Sequence, residues 1–207
     1  MLSVSRVSNL LEPFGLDLHR HQIEQVRAYL ELLMRWNQRI NLTAIRTPEG
    51  CATRHFGESL YLARWVELRG KLLDIGSGAG FPGLALKICS PELAVTLLEP
   101  VAKKRAFLKE VARACGFSEV EVRSERIEDF FCLQTNLFGF ATSRGVGELS
   151  QLVPHAARCL GPGGLICLWI SQDQASALSS ISDSIDWGIP IQLPLGKQRE
   201  IWVGRRI

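Results

Sequence analysis

The chain has 207 residues, 46% of them hydrophobic and 22% charged; that is long enough to bury a sizeable core and too apolar for wholesale disorder. Twenty-four Lys and Arg stand against 21 Asp and Glu, a formal charge of +3, which excludes a polybasic nucleic-acid arm and leaves room for a local basic patch. The first 70 residues carry 9 basic groups, all Arg, against 7 acids, and Arg suits phosphate forks and base stacking better than Lys.

In chain order, Ile23, Val26, Leu30, Leu33 and Ile40 recur at helical spacing over a polar opposite face. That helix is expected to close at Asn41-Leu42-Thr43, with Pro48 and Gly50 in a loop and a second helix from about His55 to Glu67. From Lys71 the pattern turns to strand alternating with helix. Strands are expected at Lys71–Ile75, Ala94–Glu99, Val120–Val122, Phe138–Ser143 and Leu165–Ile170, with helices to Cys89, over Val101–Cys115 and over Glu148–Leu160. Gly116 stops one helix, and Gly161-Pro162-Gly163-Gly164 reads as a turn. Two further strand-like runs lie near Ile189–Leu193 and Ile201–Val203, the first limited to an edge by Pro190 and Pro194. The alternation argues for an α/β fold with a parallel, doubly wound sheet. The one boundary falls near 68–70, giving residues 1–69 as a helical cap and 70–207 as a ligand-binding domain.

Six cysteines, at 51, 89, 115, 132, 159 and 167, show no two-residue spacing, so they read as small buried hydrophobes in a reducing compartment rather than metal ligands. No apolar run is long enough to span a membrane, and Met1–Asn9 lacks the apolar segment of a secretion signal. A cytoplasmic protein is expected.

The main chemical signal is Asp74-Ile75-Gly76-Ser77-Gly78-Ala79-Gly80-Phe81-Pro82-Gly83, where the first strand of the sheet meets a helix. Gly78–Gly83 matches the dinucleotide pattern G-x-G-x-x-G. Read from Asp74, the same string resembles the S-adenosylmethionine loop of Rossmann-like methyltransferases. An acid at Asp74 can meet a ligand ammonium, directly or through water, but repels a pyrophosphate. Glu99, at the end of the second strand, can accept both ribose hydroxyls, as it also would in a nicotinamide-dinucleotide enzyme. The fourth strand ends in Thr142-Ser143-Arg144-Gly145, without the Asn/Asp-Pro-Pro-aromatic run of amine methyltransferases, and no Pro-Cys nucleophile is present. Elimination leaves an acceptor that needs little activation, such as guanine N7, with a small molecule or a protein still open.

The sequence resembles the family called glucose-inhibited division protein B, the guanine-N7 methyltransferases of small-subunit (16S) ribosomal RNA. The resemblance rests on Trp36-Asn37-Gln38-Arg39-Ile40-Asn41-Leu42-Thr43-Ala44-Ile45, on His55 with Ser59-Leu60, and on the Asp74–Gly83 loop. It continues through Glu99-Pro100-Val101, Lys103-Lys104-Arg105, Phe107-Leu108, Arg126-Ile127-Glu128 and Ser143-Arg144. It implies a class I methyltransferase fold, with a seven-stranded, mostly parallel sheet and an N-terminal helical extension. It also implies S-adenosyl-L-methionine as cofactor, with contacts from Gly76, Phe81, Ile127, Glu128 and Arg144 added to Asp74, Gly78, Gly80 and Glu99. On the substrate side it points to Asn41, Thr43, His55 and Arg126. No catalytic base is assigned. The implied partner is small-subunit ribosomal RNA or the 30S particle; a monomer without metal or membrane is expected. The chain departs from the family at Glu58, where Asp is usual, and at Gly145, where Ala is usual. A ribosome-binding module that kept the fold without the activity is the rival from another class.

Overall fold

The computed structural model describes residues 2–130, 137–145, 147–181, 184–196 and 199–207. Helices α1 (Val4–Leu11), α2 (Arg20–Asn37), α3 (Pro48–Cys51) and α4 (Glu58–Leu60) precede the first strand. Then follow β1 (Lys71–Ile75), α5 (Gly83–Cys89), β2 (Ala94–Leu98), α6 (Ala102–Ala114), β3 (Val120–Arg123), α7 (Ile127–Phe130) and β4 (Phe138–Arg144). The last part holds α8 (Leu149–Cys159), β5 (Leu160–Ser171), α9 (Gln172–Ala175), β6 (Ile185–Trp187), β7 (Ile191–Gln192) and β8 (Arg199–Arg206).

The sheet order is β3-β2-β1-β4-β5-β8-β6, with β7 also on β8. Strands β1 to β5 run parallel, and β8 is antiparallel to β5, β6 and β7. The expected seven strands are therefore eight, in seven positions. The outer edge is shared by two short pieces separated by Gly188, Ile189 and Pro190, and a proline without an N–H cannot carry a ladder through. Residues 161–164, expected as a turn, lie inside β5 as an irregularity where pairing to β4 slips between Phe138 and Phe140.

Alternation along the strands divides the core in two. Leu72, Val95, Leu97, Cys167 and Trp169 face the side covered by α2, α5 and α6, where they meet Tyr29, Leu33, Leu84, Phe107 and Leu108. Leu73, Ile75, Leu98, Ile166, Leu168 and Ile170 face the side covered by α7 and α8. The N-terminal helices thus close over the sheet's own core. Cys51, Cys115, Cys159 and Cys167 are buried and Cys89 partly so, all as free thiols; Cys132 lies outside the described residues.

Two of the expected helices differ. The helix expected to run to Ile40 stops at Asn37, because the Asn37 side chain takes over its end. Oδ1 accepts from the Leu42 and Thr43 amides, at 2.9 and 3.0 Å, and Nδ2 donates to the Thr43 carbonyl at 3.0 Å. The second helix is a broken run starting at Pro48, with wider turns over Ala52–Gly57 and a tight turn over Tyr61–Arg64. Gly57 lies flat on Phe14, where an added Cβ would stand 2.2 Å from the ring.

Candidate donor-binding cleft

A cleft of about 390 Å³ opens at the carboxyl ends of β1, β2 and β4, the position where open α/β sheets bind ligands and a volume within the range of small-molecule sites. Gly76, Gly78, Glu99, Arg126, Ile127, Glu128 and Arg144 line it, seven of the thirteen site residues expected from sequence.

The loop after β1 takes its shape from left-handed glycines. Gly76, Gly78 and Gly80 have φ of +69°, +56° and +86°, a region open to glycine and costly for most other residues. Ser77 folds the loop back: its amide donates to Leu98 O at 3.0 Å and its hydroxyl to Asp74 O at 3.0 Å.

Glu99 closes the opposite wall. Its Oε2 accepts from the Gly78 amide at 2.9 Å and its Oε1 from the Val101 amide at 2.8 Å. A carboxylate oxygen offers two lone pairs, so each oxygen keeps one for a ligand hydroxyl. At the end of β3, Arg123 pairs with Glu125 and, at 3.0 Å, with Glu121. The hydrogen bonds from Arg123 hold the Glu125 carboxyl down at about 2. This pairing anchors the turn that presents Arg126, Ile127 and Glu128 to the cleft.

Asp74, Gly80 and Phe81 stand behind the loop, not on the cleft wall. Asp74 is fully buried; its Oδ1 accepts from the Thr142 hydroxyl at 2.8 Å, and its Oδ2 has no hydrogen-bond partner among the described residues. Burial raises its pKa to about 6, against the lowering effect of the Thr142 bond. Asp74 is thus set behind Ile75 and Gly76, which line the cleft, and is not itself part of the lining. Gly80 is held against α2, where an added Cβ would sit 2.1 Å from the Tyr29 hydroxyl. That hydroxyl donates to Ala79 O. Phe81 is stacked between Tyr29 and His55, at centroid distances of 5.2 and 4.8 Å, which places its ring in the core.

The N-terminal residues join the site through this stack. His55 Nε2 and Thr43 Oγ1 are 2.7 Å apart, and the Ile45 amide donates to Thr43 Oγ1 at 3.1 Å. Burial, with Arg144, Arg199 and Arg54 nearby, lowers the His55 pKa to about 3, so the ring is neutral. Asn41 is exposed, its Oδ1 accepting from Arg46 at 3.4 Å; it does not reach the cleft wall. Arg144 carries the link to β4. Its Nη2 donates to Arg54 O at 2.6 Å and pairs with Glu58 Oε2 at 3.1 Å, and its Nη1 donates to Ser59 Oγ at 3.3 Å. Most of its fork is thereby spent on the helical cap.

Lys104 also lines the cleft, whereas Arg205 and Arg206 do not join it. Leu165 pairs with Arg205, so the chain's last arginines lie at the opposite end of the parallel strands. Sequence reading assigns no role to Asn37, Tyr29 or Glu125. A tyrosine within an otherwise apolar helix stripe is the one available signal among them, since a buried hydroxyl needs a partner. Among the described residues no group of three or more His, Cys, Asp or Glu is placed to hold a metal, and no helix is long and apolar enough to cross a membrane.

Comparisons with known proteins bear on the fold and the family. A SAM-dependent methyltransferase from Aquifex aeolicus superposes with a TM-score of 0.62 at 16% identity, over 76% of this chain and 93% of that one. The tRNA methyltransferase TrmI of Aquifex aeolicus gives 0.59 at 15%, over 72% and 68%. At such identities the likeness shows the fold, that of class I methyltransferases. In sequence, the ribosomal RNA small subunit methyltransferase G of Halorhodospira halophila is 39% identical over 156 residues, 75% of this chain and 73% of that protein. Its counterpart in Chloroflexus aggregans is 44% identical over 154 residues, 73% of this chain and 65% of that protein. The pattern of the GidB family, rRNA small subunit methyltransferase G, matches residues 22–186, and the chain belongs to that family.

Proposed function

We propose that the protein methylates N7 of a guanine in small-subunit ribosomal RNA, using S-adenosylmethionine held in the cleft. The observation that carries this reading is Glu99. Its two oxygens are fixed by the Gly78 and Val101 amides, with lone pairs left to accept from the two hydroxyls of a ribose. Gly76 and Gly78 let the ligand approach the main chain closely, and Ile127 offers an apolar surface beside Glu128 for an adenine. Asp74 supports the loop from behind. When bound, the cofactor supplies a methyl group activated on a sulfonium.

Guanine N7 carries a free lone pair and no proton, so no side chain has to remove one. What the chain contributes is proximity and alignment. Arg126, on the cleft wall, is placed for the acceptor. Asn41, Thr43 and His55 act on the acceptor side through the cap, where Thr43 and His55 set the position of Phe81 and hence of the loop. In this reading residues 1–69 are a cap on the donor-binding domain of residues 70–207, and the working unit is a cytoplasmic monomer acting on the small subunit or its RNA.

Two measurements test the proposal. Calorimetric titration with S-adenosylmethionine should give one site per chain. Labelled methyl should pass to small subunits lacking the modification. Absence of binding overturns the donor assignment; binding without transfer to any small-subunit RNA overturns the acceptor assignment.

A further inference from the structure

Beside the donor cleft, three arginines surround one buried acid. The Glu58 side chain is 4% exposed and pairs with Arg144 Nη2 at 3.1 Å, Arg199 Nη2 at 3.3 Å and Arg54 Nε at 3.7 Å. Among the described residues these three arginines have no other acidic partner. Three guanidinium charges against one carboxylate leave a formal excess of +2 in a site water only partly screens.

The cluster stands at the cleft's end of the sheet. Arg144 ends β4, and Arg199 opens β8 opposite Ser171, the last residue of β5. Arg54 and Glu58 come from the cap segment. The three arginines are unequally committed. Arg144 is 8% exposed and bonded to the carbonyls of Arg54 and His55. Arg54 and Arg199 are 58% and 29% exposed, and each makes its one ion pair to Glu58. Neither lines the donor cleft. Both are open to solvent outside the cleft lining, and both pair with the acid that also holds Arg144 of the cleft wall. A guanidinium fork matches a phosphate in shape and charge.

We propose that Arg54 and Arg199 together grip a backbone phosphate of the RNA acceptor beside the target nucleotide, with Glu58 as the positioning residue that holds the two forks in register. The inference rests on the methyltransferase reading. A grip outside the donor cleft fixes the register of the RNA without touching the base. It also gives a chain with a formal charge of only +3 a local source of RNA affinity.

The test uses the full chain and small-subunit RNA lacking the modification. Arg54→Gln and Arg199→Gln should each weaken RNA retention on filters, and raise KM for RNA, by about tenfold. The slope of log affinity against log salt should fall by about 0.7–0.9 for each phosphate no longer neutralised. Lysine at either position should recover part of the affinity. S-adenosylmethionine affinity should stay at the wild-type value, which also reports an intact fold. Unchanged RNA binding and salt slope in the double variant overturn the proposal. So does an equal loss of donor affinity, which would make the cluster a site for the donor's carboxylate. Filter binding needs no turnover. A wild type inactive on every RNA, yet bound with Arg54- and Arg199-dependent affinity, overturns the proposed function and supports the phosphate grip.

Discussion

Tyr29→Phe isolates the tie between the helical cap and the glycine loop. The substitution removes one oxygen and leaves the ring, which keeps its stacking on Phe81 and its edge contact with Phe56 at 5.0 Å. No large cavity forms, so the change is confined to the bond from the Tyr29 hydroxyl to Ala79 O. A buried carbonyl that loses its donor costs about 1–3 kcal/mol. For a chain of this length each kcal/mol lowers Tm by about 2–4 °C. If the bond holds the loop in its ligand-ready shape, about 1.4 kcal/mol of that loss reappears on binding as about tenfold weaker affinity. Urea unfolding at unchanged m-value reads the first quantity, and calorimetric titration with the demethylated donor product reads the second. Loss of stability with unchanged donor affinity would refute the claim that Tyr29 sets the loop.

Other consequences are equally direct. Gly76→Asp places a side chain at φ +69° on the cleft wall and should abolish donor binding while the far-ultraviolet dichroism stays native; retained binding contradicts the loop assignment. Asp74 has a folded pKa of about 6 against 3.8 for the free group, so the native state binds the extra proton and this group's contribution to stability is lost as pH rises from about 4 to 6. That loss is worth about 3 kcal/mol, so stability of the wild type relative to Asp74→Asn should fall across this window; a pH-independent difference would show that the carboxyl is not raised. His55 carries the opposite sign. Its pKa is lowered from 6.5 to about 3, so its contribution is full above about 6.5 and is lost as pH falls towards 3. His55→Asn should flatten that limb of the urea-unfolding profile, and an unchanged limb would place the titration elsewhere.

The sheet was legible because the signals that define it are local. Leu72, Leu73 and Ile75 alternate between two cores and run straight into the glycines, and Glu99 closes the next strand. The features that differed depend on partners distant in sequence or on side chains that override periodicity. Asn37 sits where the helical pattern of α2 continues, and only its bonds to residues 42 and 43 show that the helix is over. Phe81 reads as part of a ligand loop, yet its ring serves as the middle layer between Tyr29 and His55, residues 52 and 26 positions away in the chain. Glu58 looks like a mild departure from a family pattern; that it gathers Arg54, Arg144 and Arg199 becomes visible once β8 returns beside β5. The split outer edge was half visible in Pro190, whose missing N–H marks the break, whereas β6 gave no periodic signal over its three residues.

The central claim is the acceptor atom, and nucleoside analysis tests it most directly. Small subunits lacking the modification are incubated with the protein and S-adenosylmethionine labelled in its methyl group, and the RNA is digested to nucleosides. Label in 7-methylguanosine alone is the expected result. Label in any other nucleoside would contradict the claim.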